Sequence, residues 1–295
     1  MSDTLESLRR KIIRATDLQS VVRTMKAVAA SGIGQYENSI RALVKYSRSV
    51  ELGLSRCLDN KEIMQFAPEN EKPRSHIINA VVFGSDQGLV GQFNDIVAFF
   101  SVNALRKMGG ELRVWAIGER VYTRLIDSGI KVTGLFAVPV SVKSITPFVA
   151  EVLTKCETGH GQDDESEIHL FYNKLKSASS YTQVDLRLLP LDTEWLKTMT
   201  EIEWPTENIP QVLGNVNEIL RAFIREYLFI SVFRVCAESL ASENTSRLIA
   251  MQRAEKNITE MLSSLSGAFH ELRKDGIDAE LFDVIAGFEM LNKNK

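Results

Sequence analysis

Apolar residues recur at three- and four-residue spacing at both ends of the chain, and at strand-like spacing only in its middle. In the first flank Leu5, Leu8, Ile12, Ala15, Val22 and Ala29 form a stripe close to a coiled-coil seam, with Leu18, Val21 and Met25 widening it. Only Gln19 and Lys26 place polar groups in that seam. Gly32 and Gly34 weaken the helical pattern locally, and it resumes at Tyr36, Ile40 and Leu43. The second flank starts at Val212, steps through Val216, Leu220, Phe223, Tyr227 and Ile230, and continues to Phe282 and Ile285. A helix of about 75 residues would extend roughly 110 Å at 1.5 Å per residue. Two such flanks at opposite ends of one chain predict an antiparallel pair.

The middle reads differently. Strands are predicted over 76–84, 112–117, 131–138, 167–172 and 184–189, and helices over 94–108, 119–128 and 144–155. Strands alternating with helices indicate an α/β domain with a mainly parallel sheet. Residues 159–167 read as a polar loop. All seven prolines lie between Pro68 and Pro210, which sharpens the division. Proline ends or kinks helices, so proline-free flanks suit long helices. The expected organisation is an N-terminal coiled-coil helix over 1–67, a Rossmann-like α/β domain inserted over 68–210, and a C-terminal coiled-coil helix over 211–295. The fold class is thus α+β or α/β, built on a long antiparallel coiled coil.

Composition narrows the function. Hydrophobic residues make up 44% and charged residues 25%, as in a folded soluble chain. A net charge of −3 argues against wholesale nucleic-acid binding. No apolar run reaches the roughly 18 residues of a membrane span. The start, MSDTLES, has the form of neither a secretory signal nor a transit peptide. Cys57, Cys156 and Cys236 are far apart and form no CxxC, so reduced structural thiols are expected. His76, His160, His169 and His270 lack metal-ligand spacing, and no nucleophile–base set assembles. Neither cofactor nor metal is expected. Residues 84–91 place glycines after a strand and before a helix, as phosphate-binding loops do. They lack Gly-Lys-Ser/Thr, and their Gly-x3-Gly-x2-Gly spacing is not the dinucleotide pattern. Tight turning is the expected use of these glycines, with Asp86 capping the helix that follows.

Three stretches resemble one family. Residues 24–31 (TMKAVAAS) resemble the "AMxMVAAS" segment of F-type ATP synthase gamma subunits. Residues 84–94 (GSDQGLVGQFN) are similar to that family's "SDRGLCGGLN" turn. Residues 237–251 (AESLASENTSRLIAM) are similar to its "AENLASEQAARMVAM" segment. Asn173-Lys174 and Leu189-Pro190 add weaker matches, and the order and spacing agree over the whole chain. The resemblance implies a non-catalytic central-stalk rotor. Its coiled coil would thread a hexameric ring of alpha and beta subunits. Its α/β domain would stand beside the epsilon subunit on the membrane c-ring, at the cytoplasmic face of the cell membrane. Ion-driven rotation would then cycle the catalytic beta subunits.

The same resemblance places the contacts. Met25, Lys26, Glu243, Arg247 and Glu280 would meet the beta subunits. Glu203, Trp204 and Pro205 would lie in the segment near the c-ring and epsilon. Each has a plainer reading: Met25 as core filler, Lys26 as a solvated charge, Glu243 and Arg247 as an i,i+4 surface ion pair, and residues 203–205 as a turn. The chain also departs from the pattern. Where the family carries a basic "KMRKAQ" cluster, residues 32–38 read GIGQYEN. Ala279 stands for a glutamine of "ITQEL", and Phe288 and Met290 replace small residues at the tip. These departures indicate a divergent gamma, of the kind an alternate, sodium-translocating operon would encode. No inserted cysteine pair marks the thiol-regulated chloroplast form. Two other classes compete with the rotor. An α/β enzyme binding a phosphorylated ligand at 84–91 leaves the flanks unexplained, and a free-standing coiled-coil scaffold leaves the sheet unexplained.

Overall fold

A computed structural model describes residues 4–58, 77–157, 166–177, 180–191, 193–208 and 210–293. His76, His160 and most of the polar loop expected at 159–167 lie outside the described residues, as do the side chains of Phe288 and Met290. The elements in chain order are α1 (Leu5–Leu58), β1 (Ile77–Phe83), α2 (Phe93–Leu105), β2 (Glu111–Ile117), α3 (Glu119–Asp127), β3 (Val132–Phe136), α4 (Val142–Glu157), β4 (Ser166–Ser177), β5 (Ser180–Leu189), α5 (Thr193–Thr200) and α6 (Val216–Lys293). The chain forms two compact units, Met1–Val28 with Leu248–Lys295, and Ala29–Arg247. Helices α1 and α6 contribute to both.

In the larger unit a five-stranded sheet has the order β3-β2-β1-β4-β5. Three pairings are parallel, and β5 returns antiparallel on β4. Every residue of β1, IINAVVF, is buried. That composition suits a central strand covered on both faces. On one face Ala80, Val82, Val114 and Phe171 pack under α2 and α3 through Val97, Leu105, Val121 and Leu125. On the other, Val81, Phe83, Leu170 and Tyr172 pack against α4 and the middle of α6, with Tyr36 of α1 joining them. A separate cluster joins Val50, Leu54 and Leu58 of α1 to Met199 of α5 and Leu220 of α6.

In the smaller unit the pairing is antiparallel. Val22, Met251 and Ile258 form its buried seam, with Met25, Ala254 and Leu262 against them. The two polar seam positions both find partners across the pair. Gln19 Nε2 donates to Thr259 Oγ1 at 3.0 Å, and Lys26 Nζ pairs with a Glu255 carboxylate that also takes Arg23 Nε at 2.9 Å. Polar groups at seam positions fix register, because any slip leaves them unpaired. Carrying that register back from Gln19 places Leu5 opposite Arg273, so α6 continues beyond its partner.

Four local expectations are corrected. Leu18 and Val21 do not widen the seam; they are 53% and 55% exposed. Phe282 and Ile285 continue the pattern but lie past the paired stretch and are exposed. The final helix starts at Val216 rather than 212, because Asn215 Oδ1 accepts the Asn217 N–H at 3.0 Å and caps it. Gly32 and Gly34 leave α1 unbroken. Helix α5 was not anticipated, since eight residues carry too little periodicity.

Candidate coupling site at the helix–sheet junction

The turn after β1 is built from close approaches. A Cβ on Gly84 would lie 2.4 Å from Val121 Cβ and 2.8 Å from Asn94 Oδ1, so only glycine lets α3 approach the end of β1. Gly118 has φ +101° and sits equally tightly on Ser85. Ser85 and Asn94 satisfy each other. The Ser85 N–H donates to Asn94 Oδ1 at 2.9 Å, and Asn94 Nδ2 donates to Ser85 Oγ at 2.8 Å. Asp86 does not cap α2, as its position in sequence suggests. Its carboxylate accepts the N–H of Glu119, the first residue of α3, at 3.1 Å, and that of Val138 at 2.9 Å. The Gly84 N–H donates to Ile117 O at 2.8 Å and the Arg120 N–H to Ser85 O at 3.0 Å. The Gly84 and Ser85 N–H groups are thus engaged within the fold.

The same turn meets α6. Ser246 Oγ donates to the Val90 carbonyl, and a Cβ on Gly91 would lie 3.7 Å from that hydroxyl. Close approach is possible because α6 is small here: Ala237, Ala241, Ser242, Thr245 and Ser246 are all buried. Ser242 and Thr245 return their hydroxyl protons to carbonyls one turn back, at 2.9 Å each, so burial leaves neither unsatisfied. Two of the three family-like segments, 84–94 and 237–251, therefore touch.

Glu243 and Arg247 lie at this junction. Their ion pair spans 2.9 Å, with side chains only 8% and 12% exposed. It is not the surface pair that i,i+4 spacing alone implies. Glu243 Oε2 and Arg247 Nε are buried without a hydrogen-bond partner. Burial pushes the Glu243 carboxyl up to about 6; Arg247 opposes the rise and the charge of Asp86 adds to it. The Tyr36 phenol is raised above its usual range, first by burial and then by the charges of Glu243 and Cys236, which places α1 at the same junction. Gly32 is held by this packing as well, since a Cβ there would lie 3.0 Å from Asn244 Oδ1. Residues 32–38, where the basic cluster is missing, are thus partly turned inward.

The other anticipated contacts are scattered. Met25 is partly buried against the seam, and Lys26 is engaged by Glu255. Glu280 is exposed on the unpaired end of α6. Glu203, Trp204 and Pro205 lie in the connection between α5 and α6, where Trp204 Nε1 donates to Thr206 Oγ1 at 3.1 Å. Sequence reasoning missed Asp86 as a two-way tie, Tyr36 and Ser246. The run of small residues around Ser246 was the available signal for close packing.

Long paired helices and a five-stranded sheet inserted between them in sequence define a coiled-coil protein with an α/β insertion. The ATP synthase family model matches residues 4–291, and the chain belongs to that family. Among curated relatives, the ATP synthase gamma chain of Geobacter metallireducens is 25% identical, over 98% of this chain and 99% of its own length. Two solved structures share the fold. One is the Tetrahymena thermophila mitochondrial ATP synthase central stalk and c-ring, with TM-score 0.54 and 24% identity over 79% of this chain and 99% of that one. The other is the rotor of Euglena gracilis mitochondrial ATP synthase, with TM-score 0.59 and 17% identity over 92% and 98%. The chain is a gamma-type stalk subunit of an ATP synthase. No helix among the described residues is long and apolar enough to cross a membrane.

Proposed function

We propose that this subunit is the turning shaft of its complex and does no nucleotide chemistry itself, that work belonging to the beta subunits. The shaft stands within a ring of alpha and beta subunits. The sheet domain rests beside an epsilon subunit on the c-ring, at the cytoplasmic face of the membrane. The observation that carries this reading is the last stretch of α6. Described side chains from 273 to 286 are all exposed, and Ile277, Leu281, Phe282, Val284 and Ile285 are large and apolar. An apolar surface of that kind on an unpaired helix calls for a protein partner. The gamma-chain relatives and the rotor and central-stalk structures support the same partner set.

Coupling needs different contacts at different angles, so that rotation biases a partner with two states. Met25, Lys26, Glu243, Arg247 and Glu280 are the proposed contacts with the beta subunits, and 203–205 those toward epsilon and the c-ring. Arg247 would act as a unit with Glu243, because the guanidinium turns inward to that carboxylate. Co-expression with cognate alpha and beta subunits tests the rotor; failure to recover a hexameric ring holding one copy of this chain would end it. Arg247→Ala is expected to lower ATPase turnover of the assembled complex several-fold. Unchanged turnover and coupling would leave the pair a structural one.

A further inference from the structure

His169 lies on β4, on the sheet face that carries α2 and α3, and is almost buried. Its two ring nitrogens each face a carboxylate. Nδ1 stands 2.8 Å from Asp185 Oδ1 on β5, and Nε2 3.1 Å from Glu167 Oε2 on β4. Neutral imidazole has one N–H and would turn a lone pair on one of these oxygens. The imidazolium can donate to both, so two flanking carboxylates favour the charged ring. The ring stacks on Phe171 at 6.1 Å, and Phe171 takes the edge of Phe100 from α2. Neighbouring strands add Ala80 and Val114 to this face, and neither is charged. Arg187 stands opposite His169 in the β4–β5 register. At the end of α2, Arg106 is turned to the Ser128 carbonyl and Lys107 is exposed.

The strand held by this contact is a sheet edge: among the described residues β5 pairs only with β4. An edge strand has backbone bonds on one side, so cross-strand side-chain ties weigh more in holding it. We propose that His169 is a protonation-operated latch, fastening β5 to β4 as the imidazolium and slackening it when the ring loses its proton. The strand leads directly toward α5, whose Leu196 and Met199 pack on Leu54 and Leu58 of α1 and Leu220 of α6. The latch therefore governs the strand that feeds the packing at the helix bases. It belongs to the sheet alone and operates whether or not the chain turns within a ring.

The direction in pH follows from the charges. Burial lowers the histidine's affinity for its proton, but the hydrogen bonds and charges of Asp185 and Glu167 outweigh it, so its pKa lies above the ordinary 6.5. A group raised on folding contributes its full stabilisation below the unfolded value and loses it as pH climbs through the folded one. The latch is closed below pH 6.5 and opens above it.

The test uses the full chain labelled at its four histidine Cε1 positions. His169→Gln identifies the His169 resonance; if that variant does not fold, Asp185→Asn identifies it by its shift. The expected result is a titration above pH 6.5, moved downward by Asp185→Asn. Amide exchange in a peptide covering 180–189, corrected for intrinsic chemistry, should rise several-fold through the same pH while a peptide covering 77–83 stays protected. Titration at or below 6.5, no exchange step in β5, or an equal step in both peptides would each overturn the latch.

Discussion

One helix contains two opposite environments. Between Leu228 and Arg247, α6 exposes only Arg234, and even that side chain reaches Ser47 Oγ at 3.2 Å. Between Arg273 and Ala286 it buries none of its described side chains. Apolar residues are plentiful in both stretches, so hydrophobicity does not separate them. Residue size and neighbours do. The buried stretch ends in small residues that admit the 84–91 turn, and the bare stretch carries Phe282, Leu281 and Ile285, left exposed among the described residues. A fixed attachment and an unfilled one thus share the same backbone.

Glycine substitutions probe this contrast most strongly. Gly84→Ala drives a methyl into Val121 of α3 and Asn94 of α2, so both helices are pressed away from the end of β1. Overpacking of this kind is expected to cost about 3 kcal/mol. Gly276→Ala, where an added Cβ meets nothing within 4 Å, should instead stabilise the helix by about 1 kcal/mol. Urea unfolding followed by circular dichroism reads both. Equal effects of the two substitutions would mean that the junction is no tighter than the bare end.

How far the sequence disclosed this arrangement depends on how local each feature is. The strands and long helices were readable because their periodicity lies within each element. Gln19 and Lys26 stood out as breaks in a stripe, and both proved to be cross-helix ties. Leu18, Val21 and Phe282 could not be sorted in advance, since an apolar stripe reads the same whether its partner is in the chain or outside it. Asp86 was assigned to the wrong helix because its true partner lies 33 residues away, brought near only by the β1–β2 pairing. Residues 237–251 were flagged by family likeness as a contact segment. Nothing in the spacing of Glu243 and Arg247 indicated their burial, which comes from Tyr36 and the 84–91 turn closing over α6.

That burial can be measured through pH. The Glu243 carboxyl is raised to about 6 by burial, against an ordinary value of 4.5. The folded state therefore holds this proton more tightly than the unfolded state does. Its contribution to stability is intact below pH 4.5 and declines as pH rises to about 6, by about 2 kcal/mol in all. Subtracting the unfolding curve of Glu243→Gln from that of the parent between pH 4 and 7 isolates the contribution. A flat difference would mean that the carboxyl is more solvated than its 8% exposure implies.

The smallest effect belongs to the paired helices of the other unit. Glu255 receives Lys26 and Arg23 together, and their hydrogen bonds hold its carboxyl below the usual range. A group depressed on folding gives its stabilisation above its unfolded pKa and loses it as pH falls through the folded one. Glu255→Gln should therefore lower Tm slightly at pH 7 and leave it unchanged well below pH 4.5. Because the cluster reaches solvent, concentrated salt should shrink the neutral-pH difference, whereas the Glu243 effect at the buried junction should resist salt. If salt erased both differences equally, the junction pair would be as exposed to solvent as Glu255, and the contrast between the two regions would fail at its most sensitive point.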